Sequence, residues 1–210
     1  MGNSIMITVL SQKDAVLIED SQVDGMREKP VCKKKTVIAK SNLFTVEQLQ
    51  LHFSNGAQRV YERIRSHGHG AVLVVALTAS ESILLVREYA AGIDSYELAF
   101  PKGLIEQGES VTEAANRELQ EEVGFAARQI DWIRSMTLAP GYFGARLDLV
   151  LARGLYPSRL KGDEPEPLDV IEWPLSASDD LLLRPDFSEA RSIAALLLVK
   201  KWLNEEKNNE

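Results

Sequence analysis

Apolar and polar residues change rhythm several times along this chain, and each change predicts an element. Val37 and Ile38 predict a short strand. Residues 44–53 alternate with one slip, through Phe44, Val46, Leu49, Leu51 and Phe53, as a half-buried strand does. Asn55-Gly56 follows, a pair that tolerates the positive φ angles of a tight hairpin. Residues 58–64 make the return strand, with Val60 and Tyr61 supplying β propensity. Three such strands form a small antiparallel sheet that needs something to pack on. Residues 71–78 and 82–89 are nearly continuous apolar runs, the pattern of strands buried on both faces. Residues 96–100 predict a short strand leading into a loop at Pro101, Lys102 and Gly103.

From residue 110 the period changes to that of a helix. Ser110 and Glu113 form a capping box. Val111, Ala115, Leu119 and Val123 recur every four residues, and Gly124 is placed to end the helix in a left-handed conformation. Strands are then predicted over 129–138, 147–152 and 170–173, with a Pro/Gly loop at 139–145 and an acidic loop at 160–168. A short helix is expected over 176–182. A long one is expected over 186–203, capped by Asp186 or Ser188, with Ile193, Leu197, Leu198 and Trp202 on its apolar face. The division that results is a peripheral segment at 1–30, a small β domain at 31–67, the main domain at 68–204 and a frayed polar tail at 205–210. Residues 1–25 lack periodicity, and Met26 before a basic stretch is a natural alternative start.

Composition narrows the field. The 210 residues suit one full-size domain with a small appendage. A net charge of −7 argues against a nucleic-acid binder that works by broad phosphate attraction. Apolar runs are core-sized and none approaches a membrane span, so no membrane partner is expected. The single cysteine, Cys32, allows no internal disulfide, which fits a reducing, cytoplasmic compartment.

The chemistry concentrates in residues 103–125, GLIEQGESVTEAANRELQEEVGF. On a helix Glu118, Glu121 and Glu122 are neighbours at i, i+3 and i+4, beside the apolar stripe. An isolated Glu-x-x-Glu-Glu is more often a solvated face. Three carboxylates crowded at a core boundary, however, repel one another and suit a hard divalent cation. Mg²⁺ is the first choice, with Mn²⁺ as the alternative, and Mg²⁺ usually recruits substrate phosphates as well. Arg117 is the natural partner of a carboxylate: Glu109 at the loop–helix junction, or Glu113 or Glu121 along the helix. Gly103 and Gly108 let the loop fold closely onto the helix.

The spacing Gly103, Glu109, Arg117, Glu118, Glu121, Glu122, Gly124, Phe125 resembles the Nudix box at every position. FTVEQLQLHFSNG, VREYAAG, SYELAFPKGL and KGDEPEP, at 44–56, 86–92, 95–104 and 161–167, resemble the branch of that family acting on ADP compounds. The resemblance spans about residues 37–203. It implies an α/β fold, a Nudix α/β/α sandwich around a mixed sheet, preceded by a small three-stranded antiparallel β domain used in homodimerisation. It implies hydrolysis of ADP-ribose, NADH or short dinucleoside polyphosphates to AMP and a phosphorylated second product. Glu118 and Glu122 resemble the principal metal ligands. Glu121 resembles a secondary ligand or orienting group, and the carbonyl of Lys102 resembles a main-chain ligand. The general base is expected on the acidic loop at Glu164 or Glu166, with Asp163 as a spare; a solvated, proline-stiffened turn is the plain alternative. Pro140 stands where ADP-ribose enzymes of the family carry a marker proline. Lys102 replaces their usual alanine, and no acidic residue follows Pro140 until Asp148; both departures favour a broad ADP-compound specificity.

The resemblance implies that Arg87 contacts the diphosphate or ribose and Glu97 the far side of the site; a salt bridge at a strand end is the plain alternative. Glu62 and Arg63 are candidates for reaching a ligand across a dimer interface. Tyr142 is a candidate for stacking on a base. The competing functions are cleavage of another nucleotide conjugate (a flavin dinucleotide, a coenzyme A derivative or a sugar nucleotide) and a non-catalytic nucleotide sensor. A sensor would be expected to lose box carboxylates, and this chain keeps all of them.

Overall fold

The computed structural model describes residues 28–65 and 68–209. The expectations for residues 1–25 lie outside the described residues. Among the described residues ten strands join one sheet. β1 (Val31–Lys40), β2 (Thr45–His52) and β3 (Gln58–Ile64) form the antiparallel N-terminal unit. Gly56 takes φ 84° in the hairpin between β2 and β3. The unit joins the rest of the sheet through one parallel pairing, Ile64 with Phe143.

The central strands are β4 (Ala71–Leu77) and β5 (Ser82–Ala90), with the short β6 (Ser95–Ala99) and β7 (Lys102–Leu104) paired on them. β8 (Phe125–Ala139) and β9 (Phe143–Pro157) form a long hairpin, and β9 runs parallel to β4. β10 (Asp169–Pro174) closes the edge beside β5. The path is β1-β2-β3-β9-β4-β5-β10, a mixed sheet.

Alternation along β4 sorts its side chains into two cores. Val72, Val74 and Ala76 pack with Ala114, Ala115, Leu119 and Val123 of the box helix. Leu73 and Val75 pack on the other face with Leu181, Phe187, Leu196 and Val199. Helices thus cover both faces: α1 (Val111–Glu118) on one, α2 (Ser178–Leu182) and α3 (Ala190–Asn209) on the other.

Five expectations are corrected. β1 is ten residues long rather than two; all of it is exposed, so no apolar alternation marks it. Lys102 and Gly103 lie in β7, paired with Leu73 and Val72, rather than in a loop. β8 and β9 run well past their apolar stretches because each supplies the other's backbone partners. α3 starts at Ala190 and continues to Asn209, so the polar tail is helical rather than frayed. Its deepest side chains are Ser192, Ala195, Leu196, Val199 and Leu203, while Leu197 faces solvent at 49% exposure. Ile193, Leu198 and Trp202 flank that stripe.

Candidate active site

The box helix begins as its sequence dictates. Ser110 accepts from the Glu113 N–H, and Glu113 accepts from the Ser110 N–H at 2.8 Å. The helix ends differently. Residues Leu119–Val123 form a π turn, closed by the Gly124 N–H donating to the Leu119 carbonyl, with Gly124 at φ 78°. The wide turn is sustained from outside, since the Gln120 carbonyl accepts from the Leu160 N–H at 3.1 Å. Carboxylates spaced for an α-helical face are therefore presented by a widened turn.

Arg117 organises the carboxylates. Its Nε donates to Glu109 at 2.8 Å, and its Nη1 donates to Glu118 at 2.7 Å and Glu121 at 2.9 Å. Nη2 donates to the Leu104 carbonyl at 2.8 Å. One guanidinium thus ties the loop, β7 and the helix together, and these carboxylates hold it protonated well above its ordinary range. Glu109 is held below the usual carboxylate range by the same contact.

Glu118 and Glu122 are buried, each 6% exposed. Burial pushes the Glu118 carboxyl up against the pull of Arg117. Burial pushes Glu122 up to about 8, opposed by the charge of Lys102 and reinforced by Glu118, Glu88 and Glu164. Oε2 of Glu122 is buried with no hydrogen-bond partner. Among the described residues no three acidic, His or Cys side chains form a ready-made metal cage, and the Arg117 Nη1 bridges Glu118 and Glu121. The donor set nevertheless fits a hard cation. It is all carboxylate oxygen, it includes one orphaned buried oxygen, and its burial penalises unpaired negative charge.

These residues line a cleft of about 630 Å³ that also takes in Lys102, Lys161, Asp163 and Glu164. Glu164 folds over Gly162, where a Cβ would come within 2.0 Å of its Oε2. Glu166 does not line the cleft; it accepts from the Tyr96 hydroxyl at 2.6 Å. The sequence alone leaves the two glutamates equivalent, and the geometry separates them.

The other candidates fall outside the cleft in this chain. Arg87 donates to Asp186 at 2.9 Å, the strand-end salt bridge weighed against a ligand role. Glu97 accepts from the N–H groups of Ser188 and Glu189 just before α3, although it lines an adjoining cavity. Arg63 pairs with the buried Glu47 at 2.9 Å, and Glu62 is exposed on the N-terminal sheet. Tyr142 is 59% exposed, while its backbone carbonyl accepts from the Ile64 N–H at 2.7 Å. Glu88 was missed by sequence reasoning. It lines the cleft and pairs with Lys102 at 3.2 Å; its place in VREYAAG, next to the candidate Arg87, was the available signal.

A helix held against a mixed sheet by Arg117, with buried carboxylates opening on one cleft, defines a class. The NUDIX domain profile matches residues 67–197, and the NudE-type Nudix hydrolase N-terminal domain profile matches residues 30–63. The chain belongs to the Nudix hydrolases and is an enzyme of that family. It is 51% identical over 176 residues to ADP compounds hydrolase NudE of Escherichia coli (strain K12), covering 84% of this chain and 94% of that protein. It is 27% identical over 187 residues to ADP-ribose pyrophosphatase of Bacillus subtilis (strain 168), covering 87% and 99%. A crystal structure of ADP compounds hydrolase superposes with a TM-score of 0.82 at 50% identity, covering 86% of this chain and 97% of that one. Among the described residues no helix is long and apolar enough to cross a membrane.

Proposed function

We propose that this enzyme hydrolyses the diphosphate bond of ADP-linked compounds, ADP-ribose, NADH and short dinucleoside polyphosphates, releasing AMP and a phosphorylated second product. The observation that carries the reading is the gathering of buried Glu118 and Glu122 with Glu164 on one cleft. The similarity to ADP compounds hydrolase over both matched segments supports the choice of substrate.

Glu118 and Glu122 would hold a divalent cation, Mg²⁺ by preference, with Glu121 and the Lys102 carbonyl as further donors. When bound, the cation neutralises charge on the diphosphate oxygens. Glu164 serves as general base: it takes a proton from the attacking water as the new P–O bond forms and the bridging P–O bond breaks. Arg117 positions Glu118 and Glu121 and is otherwise fully committed to the protein. Buried, with Glu118 lying against Gly103 of β7, the Glu118 and Glu122 carboxylates work in a partly water-excluded site, where charge interactions are stronger.

The functional unit in this reading is a cytoplasmic homodimer. The exposed Val37, Ile38, Val60 and Tyr61 of the N-terminal sheet support it, since apolar surface of that kind marks an interface. Glu62, two residues from Val60 on the same strand, is then the candidate for reaching the second subunit, while Arg63 stays paired with Glu47. The deciding experiment is a substrate panel with Mg²⁺ and with Mn²⁺, with products identified chromatographically. AMP from ADP-ribose or NADH is expected; turnover confined to flavin, coenzyme A or sugar nucleotides would overturn the assignment.

A further inference from the structure

The cleft does not end at the carboxylates. A second cavity of about 430 Å³ adjoins it, reaching past Tyr89 and Ile93 to Glu97 and Arg191. The two share two residues, Glu88 and Lys102, whose side chains meet at 3.2 Å. This ion pair stands where the two spaces join.

Its members are unequal. The Lys102 side chain is 18% exposed and that of Glu88 is 45% exposed. A pair with one solvated partner is weakly held, and Glu88 stays hydrated when it is released. Lys102 also sits one residue before Gly103, against which the Glu118 carboxylate lies. Its charge is felt at Glu122.

Of the other cations nearby, Lys161 lines only the carboxylate cleft, and the two guanidinium groups have carboxylate partners. Arg117 has donors on Glu109, Glu118, Glu121 and the Leu104 carbonyl, and Arg191 donates to Glu189. Lys102 is a compact charge on a flexible stem with three donors to redirect. The cleft around it is rich in carboxylates, so each further phosphate charge on a substrate needs local compensation.

We propose that Lys102 is a specificity-determining residue: its ammonium leaves Glu88 to bind a bridge-phosphate oxygen of the substrate at the junction of the two cavities. The added positive charge favours bridges of three phosphates over bridges of two. Glu88 is its resting counter-ion, and the cavity beyond takes the half of the substrate that follows the bridge. This builds on the ADP-compound reading above and narrows its substrate class.

The test compares the full-length protein with K102M and E88Q on ADP-ribose and on diadenosine triphosphate. Calorimetric binding of non-hydrolysable methylene analogues of both is measured in parallel. K102M is expected to raise KM and analogue Kd about tenfold for the triphosphate bridge and no more than about threefold for the diphosphate. E88Q is expected to tighten both, with the larger gain on the triphosphate. Unfolding curves check that each variant is folded. Equal changes for the two bridges, or none, would overturn the assignment of Lys102. Wild-type turnover of neither compound would remove the functional reading instead, and the analogue affinities of K102M would still decide the phosphate contact.

Discussion

The Glu118 carboxylate lies where the side chain of any larger residue at position 103 would have to go. A Cβ built on Gly103 falls 1.9 Å from Oε1 of Glu118 and 2.1 Å from its Cδ. Glu118 cannot yield freely, because it is buried and held by Arg117. Gly103→Ala is therefore expected to displace the carboxylate while the fold survives. Activity on ADP-ribose should fall by about 10²-fold, the cost typical of a small misplacement in a catalytic constellation. Steady-state kinetics beside thermal unfolding would show it; full activity in a folded variant would refute the contact.

Glu122 separates catalysis from stability. Its Oε2 is buried without a partner, and burying polar groups unpaired is destabilising. Glu122→Gln should abolish turnover under the standard Mg²⁺ assay. In a chelator the same variant should melt no lower than the wild type, as differential scanning fluorimetry can record. A clear drop in the melting temperature there would show that the carboxylate supports the fold.

The acidic loop allows a paired comparison. Glu164 lines the cleft and Glu166 is engaged by Tyr96. Glu164→Gln is expected to lower kcat by about 10²–10⁴-fold, the range of a lost general base. Glu166→Gln should cost less than about tenfold, since its partner acts on loop position alone. The reverse order would move the base to Glu166.

Arg117→Lys should fail to substitute. The guanidinium serves four acceptors on three elements at once, and a lysine offers no planar fork. A loss of about 2 kcal/mol is expected from urea unfolding, on the scale of breaking a partly buried charge network. Retention of wild-type stability would mean that the network adds little.

Asp186 makes part of the stability sensitive to pH. Arg184 first, and then Arg87, hold its carboxyl at about 2, below the ordinary 3.8. A depressed pKa stabilises the fold above the unfolded-state value, and the contribution is lost as pH falls from about 4 to about 2. Asp186→Asn should cost about 1 kcal/mol at neutral pH after allowance for solvent screening. Near pH 2 the variant and the wild type should converge. Parallel unfolding curves at both pH values would measure this; a constant gap would exclude the linkage.

The box, the capping box at Ser110 and Glu113, the Asn55-Gly56 hairpin and the buried β4 and β5 were legible because short-range rules determine them. β1 was not, since an exposed strand carries no alternation. The α3 stripe was displaced by one position, because small Ala195 and Ser192 fit under the helix better than Leu197. Arg87 and Glu97 are charged residues beside the box, and only three-dimensional placement reveals that Asp186 and the backbone before α3 engage them. The Lys102–Glu88 pair spans 14 positions and two strands, beyond any local pattern.

The π turn at Leu119–Val123 sets the angular phase of the carboxylates. An α-helix advances 100° per residue, so removing Gln120 would turn Glu121 and Glu122 away from Glu118 by about that amount. The number of residues in this turn works as a mechanical indexing step: side chains can be exchanged one by one, but the count cannot change without taking the cleft out of alignment.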